Sequence, residues 1–281
     1  MSRPAIGLPP STHGAAPTAG EPDKAAGTGG AQPVSATTPT LQLNQLTARY
    51  GDLTAVRGVS LAVGAGEVVA LFGANGAGKS TTLKAAVGAH PRASGEVLWM
   101  GKRINQRLHR MARLGLAFVP EERTIVPGLT ARDNMRLSTG GVAGPLAHFP
   151  ELEKVLDRKA GMLSGGEQQM LILGRALSRK PSALVVDELS LGLAPIVVDR
   201  LLEALRRAAD EDHVAVLLVE QQARRALSVA DRWYLMTNGT ISGQGNSADG
   251  LSTLQAAYLA GAVAKPAPAA DPADNDDRGP D

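Results

Sequence analysis

The stretch Gly73-Ala74-Asn75-Gly76-Ala77-Gly78-Lys79-Ser80 constrains this chain more than any other. It fits G-x-x-x-x-G-K-[ST] and stands between an apolar run ending at Phe72 and a segment carrying Leu83, Ala86 and Val87 at helical spacing. Gly73, Gly76 and Gly78 permit backbone angles that turn successive N–H groups toward one oxyanion, and the following helix start adds partial positive charge. In that arrangement Lys79 reaches the β and γ phosphates of a nucleotide, Ser80 offers a hydroxyl to Mg²⁺, and Thr81 donates to the α phosphate. Without a phosphate the same residues are an ordinary glycine-rich turn, so the rest of the chain has to supply the context.

Short β-branched runs alternate with longer helical stretches, the pattern of an α/β domain with a buried, largely parallel sheet. Strands are expected at Leu41–Thr47, Ser60–Val63, Glu67–Phe72, Glu96–Met100, Leu114–Val119, Ala183–Asp187 and Val214–Glu220. Helices are expected at Lys79–Ala89, Ala131–Leu137, Gly165–Leu177, Pro195–Ala209 and Ala223–Val229. The Asn238-Gly239 pair predicts a tight turn closing a hairpin. The arginine-rich stretch Lys102–Arg113, with little aromatic interleaving, reads as a solvated helix face rather than a nucleic-acid patch.

Composition sets the limits. The 281 residues are 43% hydrophobic and 20% charged, enough for a full core. Residues 1–40 hold seven prolines, six glycines and eight alanines, and residues 264–281 hold four prolines and five aspartates. Both are expected to be flexible tails, since neither offers enough apolar area to offset the entropy of ordering. The chain carries 29 basic against 27 acidic residues, so no polyanionic partner such as nucleic acid is demanded. The absence of cysteine removes disulfides, thiolate metal sites and a cysteine nucleophile. The five histidines are scattered, so no zinc site is expected. Neither a membrane-spanning run nor a secretory signal pattern is visible, and the cytoplasm is the expected compartment.

A nucleotide-bound metal also needs a carboxylate at the end of a neighbouring strand. The run Ala183-Leu184-Val185-Val186-Asp187-Glu188 ends in two acids where α/β folds hold their ligands. Asp187 is expected to hold Mg²⁺ through water, with Glu188 beside the γ phosphate able to orient or deprotonate the attacking water. In a chain without the phosphate loop, the same pair is a solvated strand end.

Leu163-Ser164-Gly165-Gly166-Glu167-Gln168-Gln169 resembles the signature sequence of ATP-binding-cassette (ABC) ATPases, and it lies between the two phosphate motifs in that family's order. The run from Leu163 to Pro195, with Phe118-Val119-Pro120-Glu121-Glu122-Arg123 and Leu218-Val219-Glu220-Gln221-Gln222, is similar to the second of two paralogous ATPases of branched-chain amino-acid importers. The resemblance covers roughly residues 41–262.

It implies a P-loop fold of ABC type over 41–263: a mainly parallel sheet core, an antiparallel β subdomain, and a helical subdomain at about 122–177 that docks on a permease. It also implies that Tyr50 stacks on adenine, that Glu121 and Gln221 join Glu188 at the reacting phosphate, with Glu121 also near the metal, and that Ser164, Gly165, Gly166 and Glu167 contact ATP held by a second subunit. That subunit is the paralogue or another copy. Membrane permeases and, indirectly, an extracytoplasmic binding protein complete the implied assembly at the cytoplasmic face of the membrane. Most transport ATPases carry glutamine and histidine where Glu121 and Gln221 stand, whereas this paralogue commonly carries Glu and Gln. Gln221 cannot carry a proton as an imidazole does. Leu189 stands where a proline is usual, and Ala194 where many cassettes have aspartate. A urea or amide importer would share these residues. A soluble nucleotide-gated clamp is the other class left open, although it usually comes with two cassettes or long coiled-coil insertions.

Overall fold

The computed structural model describes residues 38–254 and 256. The expected flexible segments 1–40 and 264–281 lie outside them, apart from 38–40. Thr40 belongs to the fold: it is buried and its N–H donates to Val63 O at 2.9 Å.

A hairpin comes first, β1 (Leu41–Tyr50) and β2 (Leu53–Val63), followed by β3 (Val68–Gly73), the glycine-rich turn and helix α1 (Lys79–Ala86). Strands β4 (Arg92–Trp99) and β5 (Lys102–Ile104), helix α2 (Leu108–Arg113) and β6 (Leu116–Val119) follow. The next segment is helical: α3 (Ala131–Arg136), α4 (Ala143–His148), 3₁₀ turns at Pro150–Val155 and Ala160–Met162, and α5 (Gly165–Leu177). The chain then alternates β7 (Ala183–Asp187), α6 (Pro195–Asp212), β8 (Ala215–Val219) and α7 (Ala223–Leu227), and closes with the hairpin β9 (Arg232–Thr237) and β10 (Thr240–Asn246).

Two sheets result. One is antiparallel, in the order β2-β1-β4-β5; the other runs β10-β9-β3-β8-β7-β6, parallel from β9 to β6 with β10 antiparallel at its edge. All six residues of β3 are buried, and their alternation explains why. Val68, Ala70 and Phe72 face a core shared with α5 and α6, while Val69 and Leu71 face a core shared with α1 and the antiparallel sheet. A strand covered on both faces reads as a continuous apolar run, which is how β3, β7 and β8 look in the sequence.

Several boundaries differ from expectation. The stretch Lys102–Arg113 splits into β5 and α2 instead of presenting one helix face. Helix α1 stops at Ala86 rather than Ala89, with Gly88 at φ 76° just beyond it, and α6 continues to Asp212 before His213 turns left-handed at φ 54°.

Helix α3 is tied down by Asn134, which has no exposed surface. Its side chain accepts from Val126 N at 2.9 Å and donates to Val126 O and Thr130 O, both at 3.0 Å. Asn134→Leu keeps the branched outline and the number of heavy atoms but strands those backbone groups, so a loss of about 2–4 kcal/mol is expected in urea unfolding of the full chain.

Candidate functional site

The phosphate-loop pattern lies between β3 and α1, as its spacing requires. Gly73 ends β3 at φ 153°, and Gly78 caps α1 at φ 101°. A Cβ on Gly73 would stand 2.5 Å from Met236 O, and one on Gly78 would stand 2.6 Å from Ala55 O. Both are therefore glycine for conformation and for space. Ala74, Asn75 and Gly76 form the exposed crest, closed by Ala77 N–H donating to Ala74 O at 3.1 Å. Lys79, Ser80 and Thr81 open α1.

Buried Lys79 turns its ammonium back over the loop, donating to Gly73 O at 2.9 Å and Ala74 O at 3.2 Å. Its Nζ is 3.9 Å from Glu188 Oε1. Ser80 Oγ donates to Asp187 Oδ1 at 3.1 Å, while Asp187 Oδ2 is buried with no hydrogen-bond partner. Burial pushes the Asp187 carboxyl above its ordinary pKa; the Ser80 bond opposes that, and the neighbouring Glu188 and Glu121 reinforce it. A buried carboxylate with one bare oxygen beside a serine hydroxyl is a donor set that suits a hard divalent cation.

Glu188 follows Asp187 at φ 51°, an uncommon left-handed value for a residue with a side chain. Its Oε2 accepts from Gln221 Nε2 at 2.9 Å. Gln221 stands just past β8 and Glu121 just past β6, so the ends of three parallel strands bring Glu121, Glu188 and Gln221 to one edge. Together with Asn75, Lys79, Ser80 and Thr81 they line a cleft of 350 Å³. That volume lies in the usual range of small-molecule sites.

Tyr50 and the Ser164–Glu167 segment lie outside that lining. Tyr50 is about half exposed at the end of β1, and its ring packs on His90 with centroids 4.3 Å apart. Ser164–Glu167 open α5, where Ser164 Oγ accepts from Glu167 N at 3.3 Å and Glu167 Oε2 accepts from Ser164 N at 2.7 Å. This is a capping box, legible in the S-x-x-E spacing and not anticipated in the sequence analysis. Gly165 and Gly166 are close-packed there, against Arg123 and Val197.

Sequence reasoning also missed Glu220. This carboxylate is 1% exposed and accepts from Ser190 N at 2.9 Å, Ser190 Oγ at 2.7 Å and Gln221 N at 3.1 Å. The only sequence signal was an acid ending an apolar strand. Its partner lies thirty positions away, at a separation that no local pattern marks.

The sequence profile described as "ABC transporter" matches residues 56–190. A Pseudomonas aeruginosa protein, the high-affinity branched-chain amino acid transport ATP-binding protein BraG, is 40% identical over 213 residues, covering 72% of this chain and 90% of its own length. The probable branched-chain amino acid transport ATP-binding protein LivF of Archaeoglobus fulgidus is 32% identical, covering 74% and 92% respectively. Among solved structures, an ATP-binding cassette of an ABC transporter superposes with a TM-score of 0.72 over 80% of this chain and 99% of that one, at 24% identity, a likeness of fold. Kinship at that level and over that span identifies what the loop and the strand ends had suggested: the chain belongs to the ABC transporter family, whose ATP-binding chains hydrolyse ATP to drive transport.

Proposed function

We propose that this chain is the ATP-hydrolysing subunit of an importer for branched-chain or related amino acids, working with Mg²⁺ at the cytoplasmic face of a membrane. The observation that carries the hydrolytic part is the Gln221–Glu188 hydrogen bond in the cleft, with Lys79 Nζ 3.9 Å from the same carboxylate. The substrate part rests on the names of the relatives, two of which are branched-chain amino acid transport ATP-binding proteins.

In this reading the backbone N–H groups from Gly73 to Gly78, with Ala74, Asn75, Gly76 and Ala77 between them, cradle the phosphates of ATP. Lys79 leaves its two carbonyl acceptors for the β and γ phosphates, and Thr81 donates to the α phosphate. Tyr50 offers the ring face not covered by His90 to the adenine. Ser80 and Asp187 would hold Mg²⁺, with Glu121 nearby; the bare, buried Asp187 Oδ2 fits such a role. The metal, when bound, neutralises charge developing on the phosphate oxygens. Glu188 orients the attacking water and accepts its proton, while the Gln221 amide holds that carboxylate in place and, having no titratable proton, acts by hydrogen bonding alone.

Ser164, Gly165, Gly166 and Glu167 stand outside the cleft of their own chain, which suits a role toward nucleotide bound by a second ATPase subunit. The α5 start presents backbone donors there, and the cap orders them. ATP then favours the closed pair and hydrolysis the open one, because these contacts exist only in the closed state. No helix among the described residues is long and apolar enough to cross a membrane; in this reading separate permease subunits carry the solute path.

Glu188→Gln is expected to lower kcat about 100-fold or more while leaving ATP binding intact, measured by phosphate release and fluorescent-nucleotide titration. Asp187→Asn is expected to raise the half-saturating Mg²⁺ concentration about 10- to 100-fold in the same assay. Wild-type activity is expected to rise when the paralogous ATPase and permeases are added in lipid. Activity indifferent to them, or stimulated by RNA or DNA, refutes the importer.

A further inference from the structure

Glu220 is a carboxylate that the proposed chemistry does not use. It directly follows β8 with 1% of its surface exposed and forms no ion pair among the described residues, although Asp187 and Glu188 already concentrate negative charge at this edge. A buried anion is tolerated where enough donors replace water, and here the donors come from two turns. Ser190 supplies its N–H at 2.9 Å to Oε1 and its hydroxyl at 2.7 Å to Oε2. Gln221 N–H reaches Oε2 at 3.1 Å, and Gln222 N–H approaches it at 3.5 Å. Ser190 lies two residues after Glu188, so the carboxylate bridges the turn that carries Glu188 to the turn that carries Gln221.

We propose that Glu220, clamped to Ser190, is a positioning residue for hydrolysis: it holds the Glu188 and Gln221 turns together so that the Gln221 amide stays on the Glu188 carboxylate. The proposal rests on the assignment of Glu188 and Gln221 to the reacting phosphate. Glu188 adopts a left-handed φ of 51°, a conformation that persists in a residue with a side chain only when its surroundings over-determine it. On one side its N–H donates to Val219 O at 3.0 Å. On the other, buried Leu189 and the Ser190–Glu220 pair fix the chain. Both carboxylate oxygens act as acceptors for these donors. In Glu220→Gln one of the two positions becomes an NH₂ group facing a donor, either Ser190 N–H or the Ser190 hydroxyl with Gln221 N–H. One turn is then released.

The test is steady-state ATPase activity of the full chain, in one and the same active assembly throughout, for Glu220→Gln, Ser190→Ala and the double variant. Each single change is expected to lower kcat about tenfold or more, with the KM for ATP and the affinity for a fluorescent ATP analogue within about twofold of wild type. The double variant should be no slower than Glu220→Gln alone, because both changes break one clamp. In a Glu188→Gln background, adding Glu220→Gln should cost nothing further, an outcome that a general loss of packing would not give. Wild-type kcat in both single variants overturns the proposal, as does a fall in kcat matched by weaker ATP binding and a lower Tm. If Glu220→Gln does not fold, Ser190→Ala decides, since it removes a single hydroxyl. A Glu188→Gln variant that keeps wild-type kcat refutes instead the assignment on which the proposal rests.

Discussion

The central parallel strands are covered on both faces, and this decides where charge can stand. One core packs against β3, β7 and β8 from the side of α5 and α6, and the other from the side of α1 and the antiparallel sheet. Along these strands a charged side chain would be buried without water or partner, a penalty of several kcal/mol. Polar chemistry is therefore confined to the strand ends. Register then makes those ends neighbours: Leu71 and Asp187 both pair with Val219, so the turns after β3, β7 and β8 emerge side by side. The phosphate loop, Asp187-Glu188 and Glu220-Gln221 are contiguous for that reason.

The edge concentrates opposite charges without pairing them fully. Lys79 keeps its ammonium on two carbonyls and stands 3.9 Å from Glu188, longer than a hydrogen bond. Asp187 is held by a serine hydroxyl rather than by a cation. Burial opposes its charge, and a cation beside the carboxylate would relieve that opposition. In the proposed cycle, the incomplete pairing lets Lys79 exchange a carbonyl for a phosphate without first breaking a tight ion pair.

Much of this was legible because local rules and tertiary context agree. The range Gly165–Leu177 is as expected, with the apolar run Met170–Leu173 followed by Ala176 and Leu177 before the chain turns at Ser178. The continuous apolar runs of β3 and β7 allowed one assignment, and the Asn238-Gly239 turn gave the last hairpin. Reading failed where one face is wet or a link is distant. In β2, the stretch Leu53–Val59 mixes exposed and buried residues and is a strand only because β1 pairs with it. Helix α4 carries glycine and proline and is held by packing against α5 rather than by propensity. At the site, the phosphate loop and Asp187-Glu188 are short motifs and were visible. The Ser190–Glu220 pair and the Tyr50–His90 stack join residues thirty and forty positions apart, and no periodicity reports such a pairing.

The loop itself shows why motif and fold are inseparable. Ala55 O, on β2 of the antiparallel sheet, comes within 2.6 Å of where a Cβ on Gly78 would stand, and Met236 O, on β9, within 2.5 Å of one on Gly73. Gly239 N–H donates to Ala77 O at 3.0 Å, and Arg57 N–H donates to Gly239 O at 2.8 Å, so the β9–β10 turn links the loop to β2. The glycines thus admit neighbouring main chain as well as a phosphate. The antiparallel sheet meets the parallel one at the loop through these backbone contacts. The sheet that contributes none of the carboxylates still helps to shape the cradle, because its backbone at Ala55 forms one wall of it and β9 at Met236 forms the other.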